Sequence, residues 1–342
     1  MGFWIYPIYA VLAALIVFLS YSLGNYVDML DKKTKISGAF IGGILLAAIT
    51  SLPELFTSIS SIAFLNETGM VVGNILGSNL FNLTLLAFTV ICFVKKYKQS
   101  KLDKIHVISL GIVMLMTSIT LYAILAPVSM QPKAGPINFL TIVILGLYIL
   151  NLILQPKESE ADEQVEIKLS LKQIIFRFVL CAVLLVGVSI AITYATDELA
   201  AQLNLGPTVA GSLFLAIATS LPEVVSTFTL CKKGNFNAGF GNIVGSNVFN
   251  FLVLVIGEFI SWKDSIFKYM DSDGSRLAIF LVLSSLVMAT VILLKLLFNK
   301  KERTKGQTIL FYITTIGLSL ITFASYFVYL CLPFDISTLL GN

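Results

Sequence analysis

The chain has 342 residues, 57% of them hydrophobic and 12% charged, with a formal net charge of +4 and a mean hydropathy of +0.92. A soluble domain is nearer a quarter charged, so an ordinary cytosolic enzyme, a disordered tail and a nucleic-acid-binding module are excluded. A membrane helix needs about 20 apolar residues, so roughly ten spans with short loops use up the whole length.

Ten apolar segments follow in chain order: 3–23, 37–64, 68–93, 106–127, 136–155, 172–196, 207–231, 236–260, 276–298 and 308–332. Each is long enough to cross a bilayer. The first lacks a basic leader and a small-residue cleavage site, so it is read as a retained helix and not a signal peptide. The expected fold class is an all-α polytopic membrane protein with ten transmembrane helices. Residues 1–155 form a first five-helix half, 156–171 a cytoplasmic linker too short to fold alone, and 172–342 a second half. Cys92, Cys181, Cys231 and Cys331 lie in or beside apolar stretches with no metal-binding spacing, and read as packing residues. The single histidine, His106, falls at a span boundary and reads as interfacial.

The loop cations orient the chain. On the side of the N-terminus the loops hold Lys133, Lys263, Lys268 and Arg276. The opposite side holds seventeen, among them Lys32, Lys33, Lys35, five lysines from Lys95 to Lys104, and the cluster from Lys300 to Lys305. This bias puts the second side in the cytoplasm. Both termini are then extracellular or periplasmic, in a plasma (inner) membrane. The net positive charge needs no nucleic acid to explain it.

The chain also repeats itself. Thr50-Ser-Leu-Pro-Glu54 recurs as Thr219-Ser-Leu-Pro-Glu223, and Gly73-Asn-Ile-Leu-Gly-Ser-Asn-Leu-Phe-Asn82 recurs as Gly241-Asn-Ile-Val-Gly-Ser-Asn-Val-Phe-Asn250. The offset is 169 for the first block and 168 for the second. The copies fall in spans two and three and spans seven and eight. With five spans per half, the second half enters the membrane from the other side, so the repeats are inverted. That layout is typical of secondary transporters with a site near the midplane.

Glu54 and Glu223 sit well inside their spans with no Lys or Arg nearby. A mid-bilayer carboxylate costs about 2.5–3.5 kcal/mol even on the lenient insertion scale. It must be protonated, hydrated or bound to a cation. Pro53 and Pro222 cannot donate to the carbonyls of Ile49 and Ala218, and freed carbonyls are tolerated in a membrane where they line a cavity. Thr50, Ser51, Thr219 and Ser220 place hydroxyls one helical turn from the glutamates. Ser78 shares a helix face with Asn82, as Ser246 does with Asn250, and Asn74 and Asn242 lie four residues before those serines. Asn79 and Asn247 point elsewhere and suit helix–helix hydrogen bonds. Gly73, Gly77, Gly241 and Gly245 permit close helix approach. The available ligands are all oxygen, which suits Ca²⁺ and Na⁺ and offers nothing specific to zinc or copper.

These paired blocks resemble the two alpha-repeats of the calcium/cation antiporter superfamily, and within it the prokaryotic sodium/calcium exchangers. The proton-coupled branch usually carries an acidic GNxxE-type motif, which this chain lacks. The resemblance implies Glu54 and Glu223 as shared acidic ligands of Ca²⁺ and Na⁺, with the carbonyls of Thr50 and Thr219 completing the Ca²⁺ site. It implies that Ser51, Ser78, Ser220 and Ser246, with the carbonyls of Ala47 and Ala216, line the Na⁺ sites, and that Asn82 and Asn250 flank the centre. Some relatives have Asp where this chain has Asn250, which speaks against potassium dependence. The resemblance further implies that spans one and six, which read as an all-apolar gate, slide against the remainder.

The expected function is therefore electrogenic exchange of Na⁺ for Ca²⁺ by alternating access. The alternative is a proton-coupled exchanger of Ca²⁺, Mn²⁺ or Mg²⁺. An intramembrane enzyme is not expected, because HExxH, GxGD and Asp-rich pairs are missing. A cation channel with a paired-carboxylate ring would conduct without a counter-ion. No cofactor and no obligate protein partner is expected beyond the lipid bilayer and the transported ions.

Overall fold

The computed structural model describes residues 4–34, 46–100, 102–126, 133–134, 137–155, 169–205, 207–232, 234, 236–261, 265–267, 272–297 and 305–331. Residues 156–168 of the expected linker, and with them Lys157 and Lys168, lie outside them, as do Lys35, Lys101, Lys233, Lys263, Lys268, Lys300, Lys301 and Arg303.

Helix α1 runs from Ile5 to Thr34, well past the expected end of the first span at 23. The second expected span is broken: α2 (Leu46–Thr50) and α3 (Leu52–Ser60) are followed by a π-helical turn at Ser61–Leu65. Then come α4 (Thr68–Cys92), the short α5 (Val94–Gln99) and α6 (Ile105–Leu125). A two-residue hairpin pairs Lys133 with Asn138 and Ala134 with Ile137 and leads into α7 (Phe139–Leu154). Helix α8 (Leu171–Leu203) begins at a capping box, in which Ser170 and Gln173 each bond the other's backbone N–H. The seventh expected span is α9 (Pro207–Ala210), a π-helical turn at Gly211–Leu215, α10 (Ala216–Thr219) and α11 (Leu221–Lys232). Helices α12 (Phe236–Ile260), α13 (Ser272–Leu297) and α14 (Lys305–Cys331) complete the chain.

Among the described residues, eight helices are long and apolar enough to cross a membrane, or nine if the pair bent by 48° at Ser220 counts as one span. Helix α7 has 16 residues, about 24 Å of helix against a hydrocarbon core of about 30 Å.

Packing sorts the helices into two groups. The larger apolar core joins α4, α6, α12, α13 and α14. A second core joins Ile16 and Leu23 of α1 to Leu185 and Ile192 of α8, together with Ile49, Met70, Leu215 and Ala218. The broken helices lie between the α1–α8 pair and the α4–α12 pair, touching both. Close approach of α4 to the seventh segment depends on glycine. A Cβ at Gly73 would lie 2.2 Å from the Thr208 carbonyl oxygen, one at Gly77 2.7 Å from Ser212 Cα, and one at Gly211 2.4 Å from the Met70 carbonyl oxygen. Gly241 meets only ordinary contact with His106, at 3.6 Å. The positions that the repeat pairs with Thr208 and Ser212, Ala39 and Gly43, lie outside the described residues.

His106, in the first turn of α6, is 6% exposed, and its Nε2 pairs with Asn237 Oδ1 at 2.7 Å. Cys92, Cys181 and Cys231 are free thiols, exposed, half-buried and buried in turn. The side chain of Cys331 lies outside the description.

Candidate functional site

The two TSLPE blocks break their helices in the same way. Ser51 adopts φ −92°, ψ 9° and Ser220 φ −86°, ψ 2°, both in the sparsely populated bridge region. Each proline follows two residues later, where its missing N–H and its ring forbid a regular turn. The backbone recovers partial pairing: Ser51 N–H donates to Ala47 O and Ser220 N–H to Ala216 O, both at 3.1 Å. Glu54 and Glu223 thus stand in the first turn of a new helix, α3 and α11 respectively.

Those turns cross over. Ser51 Oγ donates to Glu223 Oε1 at 3.1 Å, and Ser220 Oγ donates to Glu54 Oε1 at 3.1 Å. Each glutamate also takes a serine from the helix that follows it: Ser78 Oγ reaches Glu54 Oε1 at 3.5 Å, and Ser246 Oγ reaches Glu223 Oε1 at 3.2 Å. The spacing that places these hydroxyls one turn from the glutamate of their own segment does not show this: their bonds run to the glutamate of the other half. The break at each serine turns its hydroxyl to the other half.

Around this cross, Thr50 Oγ1 lies 3.4 Å from Ser246 Oγ and 3.2 Å from the Ala47 carbonyl oxygen, to which it donates. Ser78 and Thr219 both donate to the Ala216 carbonyl at 3.4 Å. Asn74 and Asn242 brace the helices that carry the glutamates. Asn74 Nδ2 donates to Thr57 and Ser58 at 3.1 and 3.3 Å, and Asn242 Nδ2 to Ser226 and Thr227 at 2.9 and 3.0 Å.

Where α4 meets α12, Asn79 Nδ2 donates to the Asn247 carbonyl and Asn247 Nδ2 to the Asn79 carbonyl, each at 3.2 Å. This is the helix–helix role expected of them. Asn82 Nδ2 donates to Asn247 Oδ1 at 3.0 Å, and Asn250 Nδ2 to Asn79 Oδ1 at 2.9 Å. Neither Asn79 nor Asn247 is among the twelve residues singled out from sequence, yet they orient two that are. The signal was their place in the repeated block.

All twelve of those residues (Ala47, Thr50, Ser51, Glu54, Ser78, Asn82, Ala216, Thr219, Ser220, Glu223, Ser246 and Asn250) are buried, none more than 3% exposed. Four oxygens among them have no partner within the described residues: Glu54 Oε2, Glu223 Oε2, Asn82 Oδ1 and Asn250 Oδ1. All four atoms can only accept when the carboxyl groups are ionised. A buried acceptor without a donor costs about 1–3 kcal/mol, and more when charged. Such a set is chemically suited to a hard cation. Among the described residues no group of three or more His, Cys, Asp or Glu side chains gathers, so charge at the site is limited to the two carboxylates.

The sodium/calcium exchanger protein family matches residues 4–156 and 173–334. The chain belongs to that family. It is accordingly a multi-pass membrane protein of a cation-exchanger family, a class of transporter and not of enzyme. Within the exchangers, its likeness to individual proteins is more distant. It is 25% identical over 268 residues to the sodium/calcium exchanger MaX1 of Methanosarcina acetivorans, covering 65% of this chain and 73% of that one. It is 24% identical to an uncharacterized membrane protein of Methanocaldococcus jannaschii, covering 76% of this chain and 81% of that one. Two solved structures share the exchanger fold. The H⁺/Ca²⁺ exchanger CAX aligns with a TM-score of 0.59 at 17% identity, over 93% of this chain and 87% of its own. The sodium-calcium exchanger NCX_Mj aligns with a TM-score of 0.58 at 20% identity, over 95% and 97%.

Proposed function

We propose that this exchanger moves Ca²⁺ against Na⁺ by alternating access at the site built around Glu54 and Glu223. The observation that carries the reading is the set of four unpartnered buried oxygens on Glu54, Glu223, Asn82 and Asn250. In this reading Glu54 and Glu223 bind Ca²⁺ and Na⁺ in turn, and the carbonyls of Thr50 and Thr219 complete the Ca²⁺ position. Ser51, Ser78, Ser220, Ser246 and the carbonyls of Ala47 and Ala216 line the Na⁺ positions.

Charge arithmetic supplies the coupling. Two ionised glutamates carry −2, which one Ca²⁺ or two Na⁺ neutralise. A third Na⁺ leaves the loaded site at +1, so three-for-one exchange is electrogenic. Moving that charge is worth about 2.3 kcal/mol per 100 mV. Both ions need the same carboxylates, so each excludes the other.

The topology we propose has ten spans in two inverted five-helix repeats, 1–155 and 172–342, joined by a cytoplasmic linker at 156–171. The bent α9–α11 segment counts as span seven and the short α7 as span five. The excess of loop lysines on one side supports both termini facing out of a plasma membrane.

The test is Ca²⁺ uptake into sealed proteoliposomes loaded with Na⁺ and diluted into Na⁺-free buffer with the potential clamped. Uptake is expected from Na⁺-loaded vesicles and from neither K⁺-loaded nor pH-jumped ones. Uptake driven by the pH jump alone would recast the two glutamates as proton carriers.

A further inference from the structure

Just past each glutamate the repeat pairs two hydroxyls. The offset of 169 matches Thr57 with Ser226 and Ser58 with Thr227. At both positions one half has Ser and the other Thr, so the halves share the hydroxyl and not the shape of the side chain. None of the four is among the twelve residues of the site. Ser226 is half-buried and the other three are buried.

Thr57 and Ser226 each stand in the middle of the same three-part chain. Asn74 Nδ2 donates to Thr57 Oγ1 at 3.1 Å, and Thr57 Oγ1 donates to the Pro53 carbonyl at 2.8 Å. Asn242 Nδ2 donates to Ser226 Oγ at 2.9 Å, and Ser226 Oγ donates to the Pro222 carbonyl at 2.9 Å. The Glu54 and Glu223 carbonyls come next, each 3.2 Å from the same hydroxyl. A hydroxyl has one proton to give and lone pairs to receive. The amide's bond therefore leaves it able to bond back, and the two bonds strengthen each other. Ser60, which donates to the Phe56 carbonyl at 2.7 Å, is the ordinary back-bonded case. The amide oxygens differ between the halves: Thr219 Oγ1 lies 3.4 Å from Asn74 Oδ1, whereas Asn242 Oδ1 has no partner among the described residues. What the halves have in common is the amide nitrogen and its hydroxyl.

The far end of each chain is the peptide that joins Pro53 to Glu54, or Pro222 to Glu223. That peptide sets the direction of the glutamate's Cα–Cβ bond. It follows the helix break, where the proline forbids a regular turn. The carboxylates themselves are tethered by one oxygen each, through serine hydroxyls. Their aim depends on the backbone, and the backbone is held through a hydroxyl by α4 or α12.

We propose that Thr57 and Ser226 are positioning residues for the two ion-binding carboxylates, each passing the hold of Asn74 or Asn242 to the peptide that carries its glutamate. The proposal rests on the reading of Glu54 and Glu223 as Ca²⁺ ligands.

The test separates ion affinity from stability. Thr57→Val keeps the branched shape and removes the hydroxyl, and Ser226→Ala removes the hydroxyl in the other half. Equilibrium Ca²⁺ titration of the folded protein in detergent is expected to show the midpoint raised about threefold to tenfold in each, the range that one hydrogen bond spans. Maximal Ca²⁺ flux in proteoliposomes should stay near the parent's. Thr57→Ser and Ser226→Thr, which keep the hydroxyl, should bind like the parent, as should Ser60→Ala. Asn74→Ala combined with Thr57→Val should cost no more than the larger of the two, because both cut one chain, whereas Thr57→Val combined with Ser226→Ala should multiply. A role in bundle stability alone would lower the unfolding temperature and leave the midpoint in place. A midpoint unmoved in both Thr57→Val and Ser226→Ala therefore overturns the proposal, and Ser226→Ala decides it where Thr57→Val does not fold. So does a shift that Thr57→Ser and Ser226→Thr share. A parent that binds Ca²⁺ without exchanging it for Na⁺ would overturn the function proposed above, and the same titrations would still decide the role of the two hydroxyls. A parent that binds no Ca²⁺ would overturn both.

Discussion

Glu258 and Glu54 are both buried, at 2% and 0% exposure, but their surroundings differ atom by atom. Glu258 Oε1 accepts the backbone N–H of Asn138 at 3.1 Å. Its Oε2 accepts Ser265 Oγ at 3.1 Å and the Ile266 N–H at 2.8 Å. Both oxygens are filled, and the carboxylate ties two connecting segments to the end of α12. Glu54 and Glu223 each fill one oxygen with two serine hydroxyls and leave the other bare. Burial alone therefore does not mark a carboxylate as a ligand. What separates the two kinds of carboxylate here is the oxygen left without a donor. The repeat agrees: 168 positions before Glu258 stands Val90, so Glu258 has no counterpart, whereas Glu54 and Glu223 are each other's.

The largest effects should follow that division. Glu54→Gln and Glu223→Gln are each expected to reduce Ca²⁺ transport to background, since in the proposed function each removes half the charge that would hold the ion. Unfolding in detergent should stay close to the parent, because the amide keeps the shape and the serine bonds to its oxygen. Appreciable Ca²⁺ flux in either variant would break the assignment. Glu258→Gln should behave in the opposite sense. Its amide nitrogen would confront a donor already aimed at the site, at a cost of about 1–3 kcal/mol. Stability should fall while flux per folded molecule is kept. A variant as stable as the parent would show that the three bonds to Glu258 hold nothing. Asn250→Asp lies between these cases. It turns a bare amide oxygen into a charge, and is expected to change the Na⁺, K⁺ or pH profile of transport without loss of folding. Identical profiles would remove Asn250 from the centre.

Much of this was legible in the chain, and the reasons are local. The paired TSLPE and GSN blocks gave the two glutamates, the helix breaks and the helix-crossing asparagines, because each depends on one residue type at one spacing. The reach of Ser51 and Ser220 was not legible. Their hydroxyls are aimed by a backbone turn near φ −90° that also joins one half of the chain to the other, and no spacing along a single helix reports a partner 172 or 166 residues away. Glu258 was missed for a similar reason. It sits near the end of a span, where a carboxylate is unremarkable, and its donors come from Asn138 and from Ser265 and Ile266, brought in by connections whose path the apolar pattern does not encode. The two π-helical turns left no mark either, since Ser61–Leu65 and Gly211–Leu215 read as ordinary apolar helix.

The smallest effect is the one that tests the crossing itself. If Ser51 serves Glu223 and not Glu54, the stability changes of Ser51→Ala and Glu223→Ala, which removes the accepting oxygen, should fail to add. Their coupling should be about 0.5–1.5 kcal/mol, the scale of one hydrogen bond. Ser51→Ala and Glu54→Ala should add to within about 0.3–0.5 kcal/mol, although Glu54 lies three residues away in sequence. The mirror cycle, Ser220→Ala with Glu54→Ala against Ser220→Ala with Glu223→Ala, should give the same pattern. Unfolding in detergent measures all of these without needing transport, which the glutamate variants are expected to lose. Coupling confined to the neighbouring pairs would remove the crossing and separate the two halves of the site. Coupling confined to the distant pairs would mean that each carboxylate is held by a serine of the other repeat as well as by one of its own, so neither half completes its carboxylate's hydrogen bonds without the other.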